Sequence, residues 1–217
     1  MPPTVLLALA VGLTYLRSLG NVFVSYDDEL LILNNPLVQG FNWANIKAVF
    51  TSYDPELYIP LTQITHQIES SLFGLHSIAV HTTSLVLHIL SAVLVLQIFK
   101  KLLPSKVALL CALMFALHPI NVEAVSWASG RKDVLSAFFF LLSIHWYLND
   151  KTHKRSIIAF LCGLLSKVSV VPLPFALLLI DHIRGKPIDK NNLKAKLPYF
   201  ILSFIFIIIA LIGKSQV

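Results

Sequence analysis

The chain has 217 residues, 56% of them hydrophobic and 13% charged; soluble domains carry roughly 25% charged residues, so an ordinary water-soluble fold is excluded. The net charge of +6 does not point to nucleic acid, because the basic residues lie in short segments between apolar runs, as at a membrane surface, with no arginine-rich stripe among exposed aromatics. Cys111 and Cys162 both sit inside apolar runs; they make neither a disulfide framework nor a metal-spaced set and read as buried thiols.

Residues 3–19 form the first run long enough to span, since a bilayer needs about 17–20 apolar residues. The run has no basic n-region and no A-x-A site, so it reads as a membrane helix rather than a signal peptide. Residues 21–76 are polar and aromatic and form a long loop. Further spans are expected at residues 78–99, 107–125 and 134–148, the last two joined by a short loop at 126–133. Residues 157–183 are apolar but interrupted by Lys167, Pro172 and Pro174, and a last span covers residues 197–212.

Three basic loops set the orientation: Lys100, Lys101 and Lys106; Lys151, Lys154 and Arg155; and Arg184, Lys186, Lys190, Lys194 and Lys196. Lys and Arg are enriched in short cytoplasmic loops. With all three loops inside, the N-terminus is cytoplasmic and the loop 21–76 lies outside. Basic loops flank the interrupted segment on both sides, so both its ends belong inside, which requires two short helices meeting near Lys167 and Pro174. Such breaks are tolerated where they line a buried polar cavity. The expected fold is an all-α membrane protein, a single domain of about seven membrane-embedded helices with a long first outer loop. Within that loop, Leu61, Ile64, Thr65, Ile68 and Leu72 recur at helical spacing and predict an amphipathic helix over 60–73 lying on the membrane, started by Pro60. Trp43, Ile46, Val49 and Phe50 predict a second interfacial helix.

Tyr26-Asp27-Asp28-Glu29 follows the first span. Adjacent carboxylates repel one another, which suits a general base acting on a hydroxyl; the same cluster also suits a solvated helix cap. In an extended strand only one of Asp27 and Asp28 faces a given substrate. Arg131 and Lys132 lie on the outer side, where topology does not favour them. They either grip a lipid-linked phosphate or snorkel to headgroups. Lys167 at membrane depth calls for a partner, either a phosphate or a carboxylate such as Asp133. His81 and His88 share a helix face, and His118 lies at the depth of Arg131. No histidine has metal-ligand spacing, so no metal and no cofactor is expected.

Several segments together resemble a known family: Asp27-Asp28-Glu29 with Asn35-Pro36, Tyr58-Ile59-Pro60-Leu61-Thr62, Leu72-Phe73-Gly74-Leu75, His81-Thr82-Thr83, Ala116-Leu117-His118-Pro119, Val122-Glu123-Ala124-Val125-Ser126-Trp127, Arg131-Lys132-Asp133, Leu165-Ser166-Lys167, Pro172-Leu173-Pro174 and Asp181. The series resembles the N-terminal half of the GT-C membrane glycosyltransferases of the transmembrane-and-TPR-repeat group, related to protein O-mannosyltransferases. The resemblance implies a GT-C-like bundle that moves a sugar from a polyprenyl-phosphate carrier to a protein or glycan hydroxyl on the non-cytoplasmic side of a bacterial inner membrane or an endoplasmic reticulum. It implies Asp28 or Asp27 as the catalytic acid residue, with Asp28 favoured by its pairing with Glu29. It implies Arg131, Lys132 and Lys167 as carrier-phosphate ligands, with Glu29, His118, Asp133 and His81 in support. Family members continue into more helices and TPR repeats, which are absent here, so the expectation is a domain incomplete at its C-terminus. A non-catalytic scaffold of the same fold presenting a TPR domain is the alternative, and a transporter built around the broken helix is the third.

Overall fold

The computed structural model describes residues 1–25, 27–53, 57–150, 152–187 and 189–215. Tyr26, Lys151, Gln216 and Val217, which entered the sequence reading, lie outside the described residues. Among those described, the architecture is all helical.

Helix α1 (Pro3–Tyr15) has proline in its first turn, where a missing N–H costs nothing, and continues as a 3-10 stretch to Gly20. The loop carries α2 (Trp43–Thr51), capped by the Asn42 side chain accepting from Asn45 N at 2.9 Å, and α3 (Pro60–Phe73). Gly74 ends α3 at φ +71, a left-handed conformation that favours glycine. Then follow α4 (Ser77–Phe99), α5 (Ser105–Ala116), α6 (Asn121–Ser126), α7 (Arg131–Asn149), α8 (Lys154–Ser166), α9 (Leu173–Ile183) and α10 (Lys190–Lys214). By length and composition three helical segments can cross a membrane: Pro3–Gly20, Ser77–Phe99 and Lys190–Lys214.

Several boundaries differ from the expectation. The span at 107–125 is not one helix. Pro119 offers no N–H and restrains His118, so α5 stops at Ala116, and Asn121 Nδ2 donates to the freed Phe115 carbonyl at 2.6 Å. Residues 126–133 are not a loop: a 3-10 turn, Ala128–Gly130, leads straight into α7, whose first residues are Arg131, Lys132 and Asp133. The basic segment before the last span is largely helix, since α10 begins at Lys190 under an Asp189 cap. The interrupted segment does break at Lys167, which is extended between α8 and a 3-10 turn at Val168–Val170.

Helix α3 is amphipathic, but with the opposite orientation to the usual one. It buries Thr62, Gln63, His66, Gln67 and Glu69 and exposes Ile68, Leu72 and Phe73. Its polar face is consumed inward: Thr62 Oγ1 donates to Ser166 O at 3.0 Å, and Gln67 Nε2 to Leu37 O at 2.7 Å.

Among the described residues three apolar cores form, the smallest of Leu31, Ile32, Val80 and Ala128, and the two larger ones hold the bundle. In one, Leu7, Val11 and Tyr15 of α1 pack with Ala92, Val95 and Leu96 of α4 and with Ala108, Ala112 and Ala116 of α5. Alanines four apart let α5 lie close against its neighbours. In the other, Ile144 and Leu148 of α7 meet Phe160 and Leu164 of α8, Leu173 and Leu177 of α9, and Phe206 of α10. Ser143 and Ser156 each donate to the other's carbonyl at 2.8 Å, and Tyr199 OH donates to Ser156 Oγ at 2.7 Å. This buried clasp joins α7, α8 and α10.

The bundle has two distinct ends. At one, Lys101 Nζ donates to Asn149 Oδ1, bringing together the C-terminal ends of α4 and α7. Nearby in the chain's course, fully buried Asp181 accepts from Tyr147 OH at 2.5 Å, pairs with Lys186 at 3.0 Å and forms a further ion pair with buried Lys196. At the other end Arg131 and Val80 join the N-terminal ends of the same two helices. Asp181→Asn leaves the Lys196 ammonium buried without a counter-charge, which is expected to cost about 3–5 kcal/mol. Thermal unfolding in detergent micelles would show this as a large drop in Tm, and an unchanged Tm would remove the ion pair from the account of α10.

Candidate functional site

The site lies at the Arg131 end and is organised by Ser129. Its N–H and Oγ–H both donate to Asp28 Oδ1, at 2.9 and 2.5 Å, and its carbonyl accepts from Lys132 Nζ at 2.9 Å. Asp28 Oδ2 accepts from Val24 N at 3.0 Å. Asp28 is 1% exposed. Asp27 and Asp28 are helical rather than extended and lead into a π-turn, Glu29–Leu33, so the three acids fan out: Asp28 buried, Asp27 half-buried, Glu29 exposed. The neighbouring Gly130 allows the turn, because a Cβ there would come within 2.7 Å of Ala124 O.

Arg131 is fully buried. Its Nε donates to Ser84 Oγ at 3.1 Å, Nη1 to Glu69 Oε1 at 2.9 Å and Thr65 Oγ1 at 3.3 Å, and Nη2 to Val80 O at 2.6 Å. The guanidinium is thus committed to α3 and α4. His66 Nδ1 stands 3.3 Å from the other Glu69 oxygen. Burial alone would raise the Glu69 carboxyl, but His66 and the Arg131 charge hold it down at about 2. Burial lowers the His66 imidazole in turn, partly offset by Glu69.

Lys132 reaches neither large cavity; its ammonium lies 5.3 Å from the Trp127 ring centroid. Lys167 pairs with Asp133, both partly exposed. His118 is exposed, its Nδ1 accepting from Ile120 N at 3.2 Å, and it lies outside both cavities. His81 is 1% exposed, and neither ring nitrogen has a hydrogen-bond partner among the described residues.

Three cavities converge here. One of about 560 Å³ is lined by His88, Glu123, Trp127, Asp133, Lys167 and Ser169, among others. A second of about 510 Å³ is lined by Asn21, Asp28, Glu123, Ser126 and Trp127. A third, about 290 Å³ and mostly apolar, runs between Tyr58, Ile59, Val168, Phe206 and Ile209 and shares Lys167 and Ser169 with the first. The acid and the cations therefore stand together at one end, but of the site residues expected from the sequence only Lys167 and Asp133 line the largest space. Among the described residues no group of His, Cys, Asp and Glu converges as a metal site would need. Glu69, which the sequence reading did not single out, carries much of this arrangement, together with Ser129 and with Glu123, which entered only within the series of segments that carries the resemblance. The signal for Glu69 was an acid three residues after His66, on the polar face of α3.

Residues 59–212 match the family described as dolichyl-phosphate-mannose-protein mannosyltransferase. The chain belongs to that family. The stretch matched to the mannosyltransferase family includes Glu69, Glu123, Arg131 and Lys167 and begins after Asp28. Human protein O-mannosyl-transferase TMTC3 is 32% identical over 165 residues, covering 70% of this chain and 18% of its own. Mouse TMTC1 is 35% identical over 153 residues, with coverages of 65% and 16%, and human TMTC4 is 32% identical over 158 residues, with 61% and 21%. The chain spans about a fifth of the length of these relatives. No solved structure matches it.

The Arg131 network makes stability pH-dependent with a definite sign. His66 sits below its usual 6.5 and Glu69 below its usual 4.5. Protonating either favours the unfolded state, so stability is full above pH 6.5. It falls first as His66 must charge, and again between about pH 4.5 and 2 as Glu69 is neutralised. A plot of Tm against pH is expected to show both steps, and Glu69→Gln to lose the lower one along with about 3–5 kcal/mol at neutral pH. A Glu69→Gln profile matching the native one would refute this.

Proposed function

We propose that this chain forms the N-terminal catalytic part of a GT-C-type membrane glycosyltransferase, transferring mannose from a dolichyl- or other polyprenyl-phosphate carrier to a hydroxyl of a protein acceptor on the non-cytoplasmic side. The bundle then comprises seven membrane-embedded helices, α1, α4, α5 and α7 to α10, with α8 and α9 as a broken pair and the N-terminus cytoplasmic. The observation that carries the reading is Lys167, which lines both the apolar slot and the polar cavity. A lipid-linked phosphate needs that junction: chain in the slot, anion at its mouth.

In the transfer, the acceptor oxygen attacks the anomeric carbon as its bond to phosphate breaks. The phosphate leaves with the electron pair, and Lys167, released from Asp133, balances the departing charge. The acceptor proton passes to a carboxylate. Asp28 suits this, since Ser129 and Val24 orient it, Oδ2 with one N–H donor retains a lone pair, and the residue lines the second cavity. Arg131 acts here through position, fixing the turn that holds Asp28. A non-catalytic scaffold is the second reading, favoured by the burial of Asp28 and its three hydrogen bonds.

The test is purified protein in nanodiscs with polyprenyl-phosphate mannose and a hydroxyl-bearing peptide. Asp28→Asn, which keeps an accepting oxygen for Ser129, is expected to lower turnover about 10²–10⁴-fold. Lys167→Met is expected to lower it as well. Undiminished transfer by both Asp27→Asn and Asp28→Asn variants would end the base assignment, and no transfer by the native protein would favour the scaffold.

A further inference from the structure

Glu123 and Trp127 belong to the wall shared by the two polar cavities, the one containing Lys167 and the one containing Asp28. They stand four residues apart, joined by the Trp127 N–H to Glu123 C=O bond at 3.0 Å, so their side chains share a face. The Glu123 carboxylate is exposed and has no hydrogen bond or ion pair among the described residues. Trp127 is half-buried, so part of its indole is open to the shared wall. Lys132, which lines neither cavity, sits over the indole ring.

We propose that Glu123 and Trp127 form the subsite for the transferred pyranose. This rests on the transfer reading above and adds to it the groups that recognise the sugar. A pyranose has a flat face of C–H groups and a rim of hydroxyls. The electron-rich indole face attracts the C–H face, and the Glu123 carboxylate accepts from the hydroxyls. The location follows from the chemistry. The anomeric carbon must lie between the leaving phosphate and the base, and Glu123 and Trp127 line both the cavity of Lys167 and that of Asp28.

Binding of two lipids by the native chain in nanodiscs separates this from simple carrier binding: polyprenyl-phosphate mannose and bare polyprenyl phosphate. Glu123→Gln and Trp127→Leu are each expected to weaken the mannosyl lipid about tenfold, the scale of a lost hydrogen bond to a charged group for Glu123 and of a lost aromatic contact for Trp127. Affinity for the bare lipid is expected to stay within about twofold, and this retained binding also reports that each variant is folded. Glu123 is exposed, so its replacement leaves the core packing intact. Unchanged affinity for the mannosyl lipid, or equal weakening of both lipids by Glu123→Gln, overturns the subsite while leaving the transfer reading standing. Failure of the native chain to bind either lipid overturns the transfer reading and the subsite with it.

Discussion

A guanidinium with no exposed surface constrains everything around it, because it cannot shed its proton and must find a counter-charge and acceptors for its N–H groups. Arg131 finds the charge in Glu69 and the acceptors in Thr65, Ser84 and the Val80 carbonyl. These contacts join α3, the start of α4 and the start of α7. They explain the rotation of α3: its polar face must turn inward to reach Arg131, so Ile68, Leu72 and Phe73 turn out. They also fix the turn just before α7. Ser129, two residues upstream, then presents its N–H and hydroxyl to Asp28 and its carbonyl to Lys132.

The basic residues of this end consequently divide by what they can give up. Removing one partner of the Arg131–Glu69 pair strands the other charge in a dry interior. The Lys167–Asp133 pair is partly exposed, and exposed ion pairs contribute only about 0–1 kcal/mol. An incoming anion can therefore take Lys167 from Asp133 at little cost, whereas nothing can take Arg131 from Glu69 without disturbing three helices. Burial, rather than charge, decides which cation is available for a ligand.

The broad organisation was legible in the sequence because hydrophobic periodicity and charge placement are local signals. The break at Lys167 followed from a cation and two prolines in an apolar run, and the helices at 43–51 and 60–73 from spacing alone. The direction of the α3 polar face was not legible, since periodicity identifies two faces but does not say which one finds a partner. The division of 107–125 was obscured by the apolar run 107–117, although Pro119, followed by Asn121 and Glu123, was its visible cause. At the site, clustering along the chain brought Asp28, Arg131, Lys132 and Lys167 forward, but accessibility separates them. Glu69 and Glu123 are ordinary acids in sequence and acquire their roles only from a buried guanidinium and a shared cavity wall.

The same geometry alters what a loss of activity at Arg131 would mean. A cation on the lipid-phosphate side of such a site invites the reading that it touches the phosphate. Here Arg131 reaches neither large cavity, and its substitution would release Glu69, loosen the α3–α4 elbow and free the Ser129 turn. Asp28, held by Ser129 and by a single backbone N–H, would then lose its orientation. Impaired transfer in an Arg131 variant would thus report a displaced carboxylate. In the proposed transfer, Lys167, with an exchangeable partner and a surface in both the apolar slot and the polar cavity, is the cation whose loss would report the phosphate itself.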